Sequence, residues 1–292
     1  MFRSTEHKRR LVRPHAPDIA PRSDTNGQRD PVSRAVRVLE YMALSTEEDL
    51  GIREIGAALA MPPTSVHRAL RALQREGFIA ADATTKRYRL GTPFLSMAHQ
   101  VIDRHPIWKL ALSEIRALVD EVNETALLGL YEPQRLEMMF ACTVESTHPV
   151  RYVAPLDGQW QPIHAGASGL GILAFLGDEE IERVIRVKGL ASLTDDTITD
   201  PTKLRHEVAT VRERGFALSI GQRIRDAVGI ASPIFVASHV AGDVIVTFPV
   251  SRYAEMSGAQ IDDMVRSIKN CAGNIGDLWA APRARKSLEN GS

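Results

Sequence analysis

The sequence predicts an α+β protein of two domains. An N-terminal winged helix-turn-helix is followed by a linker helix and a C-terminal domain with a mainly antiparallel sheet. Three observations carry this. The chain has 292 residues, more than one hydrophobic core usually holds. Residues 31–92 read helix, helix, turn, helix, then two short strands. Beyond them, strands come in sequential blocks with helices between, the pattern of an α+β domain.

Residues 1–30 contain Pro14, Pro17, Pro21 and several arginines, with almost no apolar periodicity, and read as a disordered basic arm. From Pro31 the pattern changes. "SRAVRVLEYMAL" starts at Ser33, an N-cap type, and puts Ala35, Val38, Leu39 and Met42 on one helical face. After the acidic turn "STEEDL", "IREIGAALA" spaces Ile52, Ile55 and Leu59 for a second helix. The third is "AMPPTSVHRALRALQREGF". A residue before proline avoids helical geometry, so Met61 and Pro62 should lie outside it. Pro63 takes the first helical position, where a missing N–H costs nothing. Val66, Ala69, Leu70 and Leu73 share the inner face. "GFIAAD" and "KRYRLG" around "ATT" read as a β-wing.

"FLSMAHQVIDRH" is the amphipathic linker, residues 93–105, broken at Pro106. The second domain, 106–281, opens with the helix "PIWKLALSEIRALVDEVN". Strand candidates "TALLGLYE", "RLEMMFACTV" and "VRYVAPL" follow. "GASGLGILAFL" is a small-residue helix. "DEEIERVIRVKG" and "DPTKLRHEVATVRERG" are helices with acidic starts and glycine stops. Strands "FALSIG", "VGIASPIFV" and "DVIVTFPV" lead to a closing helix, and residues 282–292 read as a flexible tail.

Net charge is zero, but its distribution is uneven. Residues 1–91 carry 16 Lys/Arg against 11 Asp/Glu, and the remainder carries 20 against 25. A basic front on an acidic rear points to an anionic partner for the front alone. The two cysteines, Cys142 and Cys271, belong to no CxxC or Cys/His cluster, so neither zinc nor a disulfide framework is supported. No apolar run approaches a membrane span, and no signal peptide is recognisable. A cytoplasmic setting without membrane partner follows as an expectation. His148, His164, His206, Asp226 and Cys142 form no spaced metal set, nucleophile elbow or nucleotide loop. No catalytic residue, metal or cofactor is expected.

Thr64 and Ser65 stand at the start of the third helix with backbone N–H groups available to a phosphate. His67, Arg68 and Arg71 lie off the apolar face. Arg68 or Arg71 can fork onto guanine, worth on the order of 1–3 kcal/mol of discrimination. Arg75 is better suited to phosphate or solvent. Lys86 and Arg87 sit at the wing tip, placed for backbone contacts. Ser33 and Arg34 complete the expected DNA-facing set. For any one arginine a solvated face is an equal reading; the set placed on a helix-turn-helix favours double-stranded DNA.

"LGIREIGAALAMPPTSVHRALRALQREGFIAADATTKRYRLGTPFL", "PIHAGASGLGILAFL", "RERGFALS", "GIASPIF" and "VIVTFPVS" resemble the IclR family of transcription regulators over roughly residues 32–280. The resemblance implies a GAF-like effector-binding domain, a homodimer or homotetramer on operator DNA, and a small organic effector. It implies effector contacts at Gly166, Ala167 and Ser168, at Ser219, near Gly229, and at Ser251 on the last strand. "HAGASG" has a second reading, since close helix–sheet packing also demands small residues. "SIGQRIRD" departs from the acidic run many members carry, with Arg223 and Arg225 cationic. Gly229 is small and Pro249 interrupts the usual ending. A roomier, less acidic pocket is expected, lined by Trp160, with Tyr152 and Phe140 as weaker candidates, although Trp160 equally suits a core edge. The expected function is repression of a catabolic operon, released by a small organic acid, with an aromatic or larger acid favoured by the pocket, or by a related metabolite. A transcriptional activator of the same architecture, an enzyme fused to a DNA-binding domain, and a ligand-free architectural protein are the alternatives.

Overall fold

The computed structural model describes residues 30–104, 107–152 and 158–281. The chain divides into two compact units, Met1–Arg104 and His105–Ser292. The basic arm up to residue 29, the break at Pro106 and the tail from residue 282 lie outside the described residues. So does most of the "VRYVAPL" candidate, whose described residues Val150, Arg151 and Tyr152 form no strand.

In the first unit, helix α1 spans Pro31–Leu44. Its cap is Asp30, whose carboxylate accepts from Ser33 N at 2.7 Å, rather than Ser33 itself. Pro31 supplies the first helical position and has no N–H to satisfy, which moves the cap one residue upstream of it. Helices α2 (Ile52–Ala58) and α3 (Pro63–Arg75) follow, then strands β1 (Ile79–Ala81) and β2 (Tyr88–Leu90), paired antiparallel. Val38, Met42, Ile55, Leu59, Val66, Leu70 and Ile79 form one buried cluster. Leu50, in the acidic turn, exchanges backbone hydrogen bonds with Tyr88 at 2.8 and 2.9 Å, so the turn becomes a third rung of the wing. Helix α4, Pro93–Arg104, closes this unit.

The second unit begins with α5 (Ile107–Val122) and strands β3 (Thr125–Glu132), β4 (Glu137–Val144) and β5 (Trp160–Pro162). Helices α6 (Gly166–Leu173), α7 (Asp178–Lys188) and α8 (Pro201–Arg214) come next. Strands β6 (Ala217–Ile220), β7 (Ala227–Val236) and β8 (His239–Pro249) lead into α9 (Val250–Glu255) and α10 (Gly258–Ala280). The strands form one antiparallel sheet in the order β5-β4-β3-β8-β7-β6.

Two-residue alternation divides this sheet between two cores. Leu128, Val244, Val246, Phe248, Val228 and Ile230 pack with α5 and α10 residues such as Ile115, Ile268 and Ile275. Leu127, Phe140, Ile245 and Ala231 face the other way, toward Leu170 and Leu173 of α6 and residues of α7 and α8. The sheet is therefore covered on both faces, and residues 243, 245 and 247 of β8 all point toward α6. Cys142 is half-buried and Cys271 buried, and they are not joined.

One ion pair ties α9 to the sheet. The Arg252 guanidinium holds both oxygens of Glu124, which is 1% exposed, and donates to Val150 O at 2.6 Å. Burial raises the Glu124 carboxyl, and Arg252 pulls it back. Arg252→Ala strands that carboxylate, so the unfolding free energy of the second unit should fall by about 3 kcal/mol. Urea unfolding of the full chain measures this; an unchanged midpoint would show the pair to be structurally idle.

Candidate functional site

Helix α3 begins at Pro63 with Pro62 extended before it. Met61 is buried and donates its N–H to Gly56 O at 2.9 Å, which sets the turn between α2 and α3. Ser65 N already donates to Pro62 O at 2.9 Å. The expected pair of open N–H groups is therefore one, at Thr64; Ser65 is claimed by a tight first turn.

Val66, Ala69 and Leu70 are buried, while Thr64, His67, Arg68, Arg71 and Arg75 are exposed. At 100° per residue, Thr64, Arg68, Arg71 and Arg75 fall within about 60° of one another. Arg75 thus continues the Arg68–Arg71 row rather than leaving it. Among the described residues His67, Arg68, Arg71 and Arg75 make no side-chain hydrogen bond or ion pair.

Arg87 differs. Its Nη1 and Nη2 meet the Glu54 carboxylate at 3.1 and 2.9 Å, and Nε and Nη2 donate to Asp49 O at 3.1 and 2.7 Å. The expectation of a wing-tip cation is corrected here: Arg87 braces the wing against α2. The tip is the turn at Asp82, whose carboxylate accepts from Thr84 N and Thr85 N and is lowered by those bonds. Lys86, exposed with φ 54°, is the cation at that tip. Arg89 is exposed on β2 and was not foreseen. Ser33 and Arg34 are half-buried.

Between α6, the sheet and the loop 221–226 the second unit holds a small open cavity of about 40 Å³, which reaches about 440 Å³ only when the solvent space at its mouth is counted. Gly166, Ala167, Ser168, Ser219 and Gly229 all line it, with Tyr152 and Phe140. Alternation brings Ser219, Gly229 and Thr247 side by side, since Ser219 pairs with Gly229 and Gly229 with Thr247. The Thr247 hydroxyl donates to Val228 O at 2.9 Å. Burial raises the Tyr152 phenol, which Arg223 partly offsets.

Arg223 lines the cavity and closes the start of α6. It donates from Nη1 to Gln161 Oε1 at 2.9 Å, and from Nη2 to Pro162 O at 2.8 Å and Ala165 O at 2.6 Å. All three acceptors are uncharged. Desolvation lowers the guanidinium to about 10, so it stays a cation at neutral pH. Gly166 has φ 76°, and a Cβ there would stand 2.9 Å from Arg223 Nε. Gly166 N faces Gln222 Oε1 at 3.4 Å, a weak bond. His164, 1% exposed, is held by Ala191 O at 2.9 Å from Nε2, and burial lowers it.

Two expected lining residues are elsewhere. Trp160 pairs with Met139, and alternation puts it on the face opposite Phe140, away from the cavity. Its ring instead carries the Arg135 guanidinium at 4.5 Å. Ser251 is exposed on α9, because β8 ends at Pro249. Thr247 occupies the inward strand position that Ser251 was expected to fill. Arg223 and Thr247 were missed as liners. The run "GQRIR" between two strands was the available signal for Arg223. Among the described residues, no group of His, Cys, Asp and Glu could hold a metal, and no helix is long and apolar enough to cross a membrane.

Comparison with known proteins joins the two units. The IclR helix-turn-helix domain matches residues 31–83, and the bacterial transcriptional regulator IclR C-terminal domain matches residues 99–277. The chain is 35% identical to the HTH-type transcriptional regulator KipR of Bacillus subtilis, over 68% of this chain and 79% of that protein. It is 25% identical to the transcriptional repressor IclR of Escherichia coli, over 65% of this chain and 69% of that one. A solved structure of an IclR homolog from Microbacterium hydrocarbonoxydans, complexed with 4-hydroxybenzoate, is 25% identical. It superposes at a TM-score of 0.70 over 87% of this chain and all of that one.

The bracing of Arg87 gives a direct test. Arg87→Ala should cost the first unit about 1 kcal/mol, mostly through the lost Asp49 bonds. It should leave the salt dependence of DNA binding unchanged, whereas loss of a phosphate contact flattens that slope by about 1. A flattened slope with unaltered thermal stability would return Arg87 to the DNA-facing set.

Proposed function

We propose that this chain, which belongs to the IclR family of bacterial transcriptional regulators, represses a catabolic operon and is released from its operator by a small aromatic organic acid. The observation that carries the ligand class is Arg223. It is a guanidinium in a cavity wall whose hydrogen bonds all go to neutral acceptors. A carboxylate would supply the missing counter-charge, and Ser219 and Ser168 line the same cavity as hydroxyl donors, Ser168 with a proton now on the weak acceptor Met138 Sδ. Phe140, Leu127 and Ile245 offer the apolar wall for a ring. The Microbacterium homolog holds an aromatic acid, and the Escherichia coli relative is a repressor; both support the reading for this chain.

On the DNA side, α3 is the reading helix. Thr64 N–H takes a phosphate, Arg68 and Arg71 enter the major groove, and Arg75 and Lys86 hold the backbone. The working form is a homodimer or homotetramer on double-stranded operator DNA in the cytoplasm. An effector acts by binding one arrangement of the assembly better than another, since equal affinity for both shifts nothing.

The experiment is an operator mobility shift with and without acid, beside a thermal-shift series comparing benzoate-type acids with pyruvate-type acids. Release and stabilisation by the aromatic set are expected; stabilisation by the short oxo-acids alone would refute the aromatic assignment. Arg223→Gln should weaken acid binding by roughly tenfold or more, about 1.5–3 kcal/mol for a lost charge-assisted contact. Arg68→Ala should reduce operator affinity more than random-DNA affinity. Equal losses on both would reduce Arg68 to a phosphate contact.

A further inference from the structure

We propose that Asp243 sets the hydrogen-bonding direction of Ser168, so that a carboxylate effector enters the cavity together with a proton held on Asp243. This rests on the carboxylate reading above and deepens it. Asp243 is 0% exposed and lies on β8, opposite Gly129 of β3 and Pro233 of β7. It is the next residue inward on the row whose members Ile245 and Thr247 line the cavity. Neither carboxyl oxygen has a hydrogen-bond partner among the described residues. A Cβ on Gly129 would strike Asp243 Oδ1 and lie 3.1 Å from Ser168 Oγ and 2.9 Å from Met138 Cε. Three side chains therefore converge over that glycine, and Ser168 is the one that also reaches the cavity. Its hydroxyl donates to Met138 Sδ at 3.3 Å, a weak acceptor that a better partner displaces.

The elements packed on Asp243 offer it Gly129, Met138, Ser168 and Pro233, none of which titrates in the neutral range. The charged group acting on it is Arg223, which pulls its carboxyl down, as Ser168 does. Burial wins and pushes it up to about 7, so both forms are populated near neutral pH. The neutral form donates its O–H to Ser168 Oγ, which turns the Ser168 hydrogen toward the cavity, where a carboxylate accepts it. The ionised form accepts that hydrogen instead, presents Ser168 lone pairs to the cavity and adds a negative charge. Both changes oppose an anion. The proton comes from solvent and returns there when the effector leaves.

The sign for stability is separate. A carboxyl raised in the folded state stabilises fully below its unfolded value and loses that contribution as pH rises through about 7. Wild type should therefore lose stability relative to Asp243→Asn across that window.

The test is calorimetric titration of the full chain with 4-hydroxybenzoate and with pyruvate at about pH 6.5 and about pH 8.5, expecting roughly tenfold or greater weakening for the acid that binds. Paired buffers of different ionisation enthalpy at about pH 8.5, where Asp243 is mostly ionised before binding, count the proton, expected near one per effector. Asp243→Asn, whose amide donates permanently, should bind with little pH dependence. Ser168→Ala, which keeps Asp243 intact, should bind more weakly and lose most of the dependence. His164 is lowered by burial, and the Asp243→Asn variant, which leaves it in place, separates its titration from that of Asp243. Equal wild-type affinity at both pH values, or a dependence that survives in both variants, overturns the proposal and leaves the carboxylate site standing. Binding of neither acid at either pH removes the carboxylate reading, and this coupling with it.

Discussion

The close approach of α6 to the sheet is the constraint on which the second unit depends. A Cβ on Gly229 would stand 3.0 Å from both Ala167 Cβ and Ile245 Cδ1, and one on Gly171 3.3 Å from Ala231 Cβ. A Cβ on Gly169 would be 2.8 Å from the Ile163 backbone. Side chains at these points would lift the helix, and all eight of its residues are buried. Because the approach is made by glycine and alanine, the space at the start of α6 is not filled by apolar side chains. It is bordered by small hydroxyls and closed by Arg223, which binds the Ala165 carbonyl. Packing and site are thus one feature: the small residues that bring α6 down also leave the opening.

Arginine identity says little until partners are known. Arg87, Arg212 and Arg252 are each committed to carboxylates or carbonyls within their own unit. Arg252 in particular neutralises a carboxylate that could not otherwise be buried cheaply. Arg68, Arg71 and Arg75 stand on one exposed face with no such commitment among the described residues. Arg223 is intermediate, with three of its N–H groups bonded to carbonyl and amide oxygens and its charge unmatched by any of them. The first situation is bracing, the other two are those proposed for DNA contact and anion capture, and composition cannot separate the three.

Most of the architecture was legible because periodicity and caps are local. Pro63 at the start of α3, the inner face Val66–Ala69–Leu70, Asp200 capping α8 and Gly215 ending it follow from the residues themselves. The failures share a tertiary cause. Trp160 was assigned to the cavity by residue type, but strand register decides its face, and register with Met139 is not written in "GQWQP". Ser251 fell two residues past the end of β8, a boundary that Pro249 sets. Arg87 resembled a wing-tip cation until Glu54, 33 positions earlier, was found against it. Asp30 rather than Ser33 caps α1. Gly166, Ala167, Ser168, Ser219 and Gly229 reached the cavity wall because resemblance located them, not because the sequence pattern fixes a pocket.

Two opposite electrostatic imperfections stand in and beside the cavity, Arg223 in its wall and Asp243 next along the β8 row that lines it. Arg223 keeps a cation in desolvated surroundings, and Asp243 keeps a buried carboxyl that only the Ser168 hydroxyl and the Arg223 charge pull down. Their mutual attraction is too weak to ionise Asp243 fully, since burial still holds it near neutrality. An acid that lies against Arg223 relieves the first imperfection and, through its own negative charge, favours the neutral form of Asp243, which removes the second. A neutral ligand of the same shape relieves neither. On the proposed carboxylate reading, discrimination between acid and neutral isostere would come from charges already held in desolvated surroundings. That preference selects the ligand; to move an equilibrium elsewhere in the assembly the same acid must also bind one arrangement of the assembly better than another.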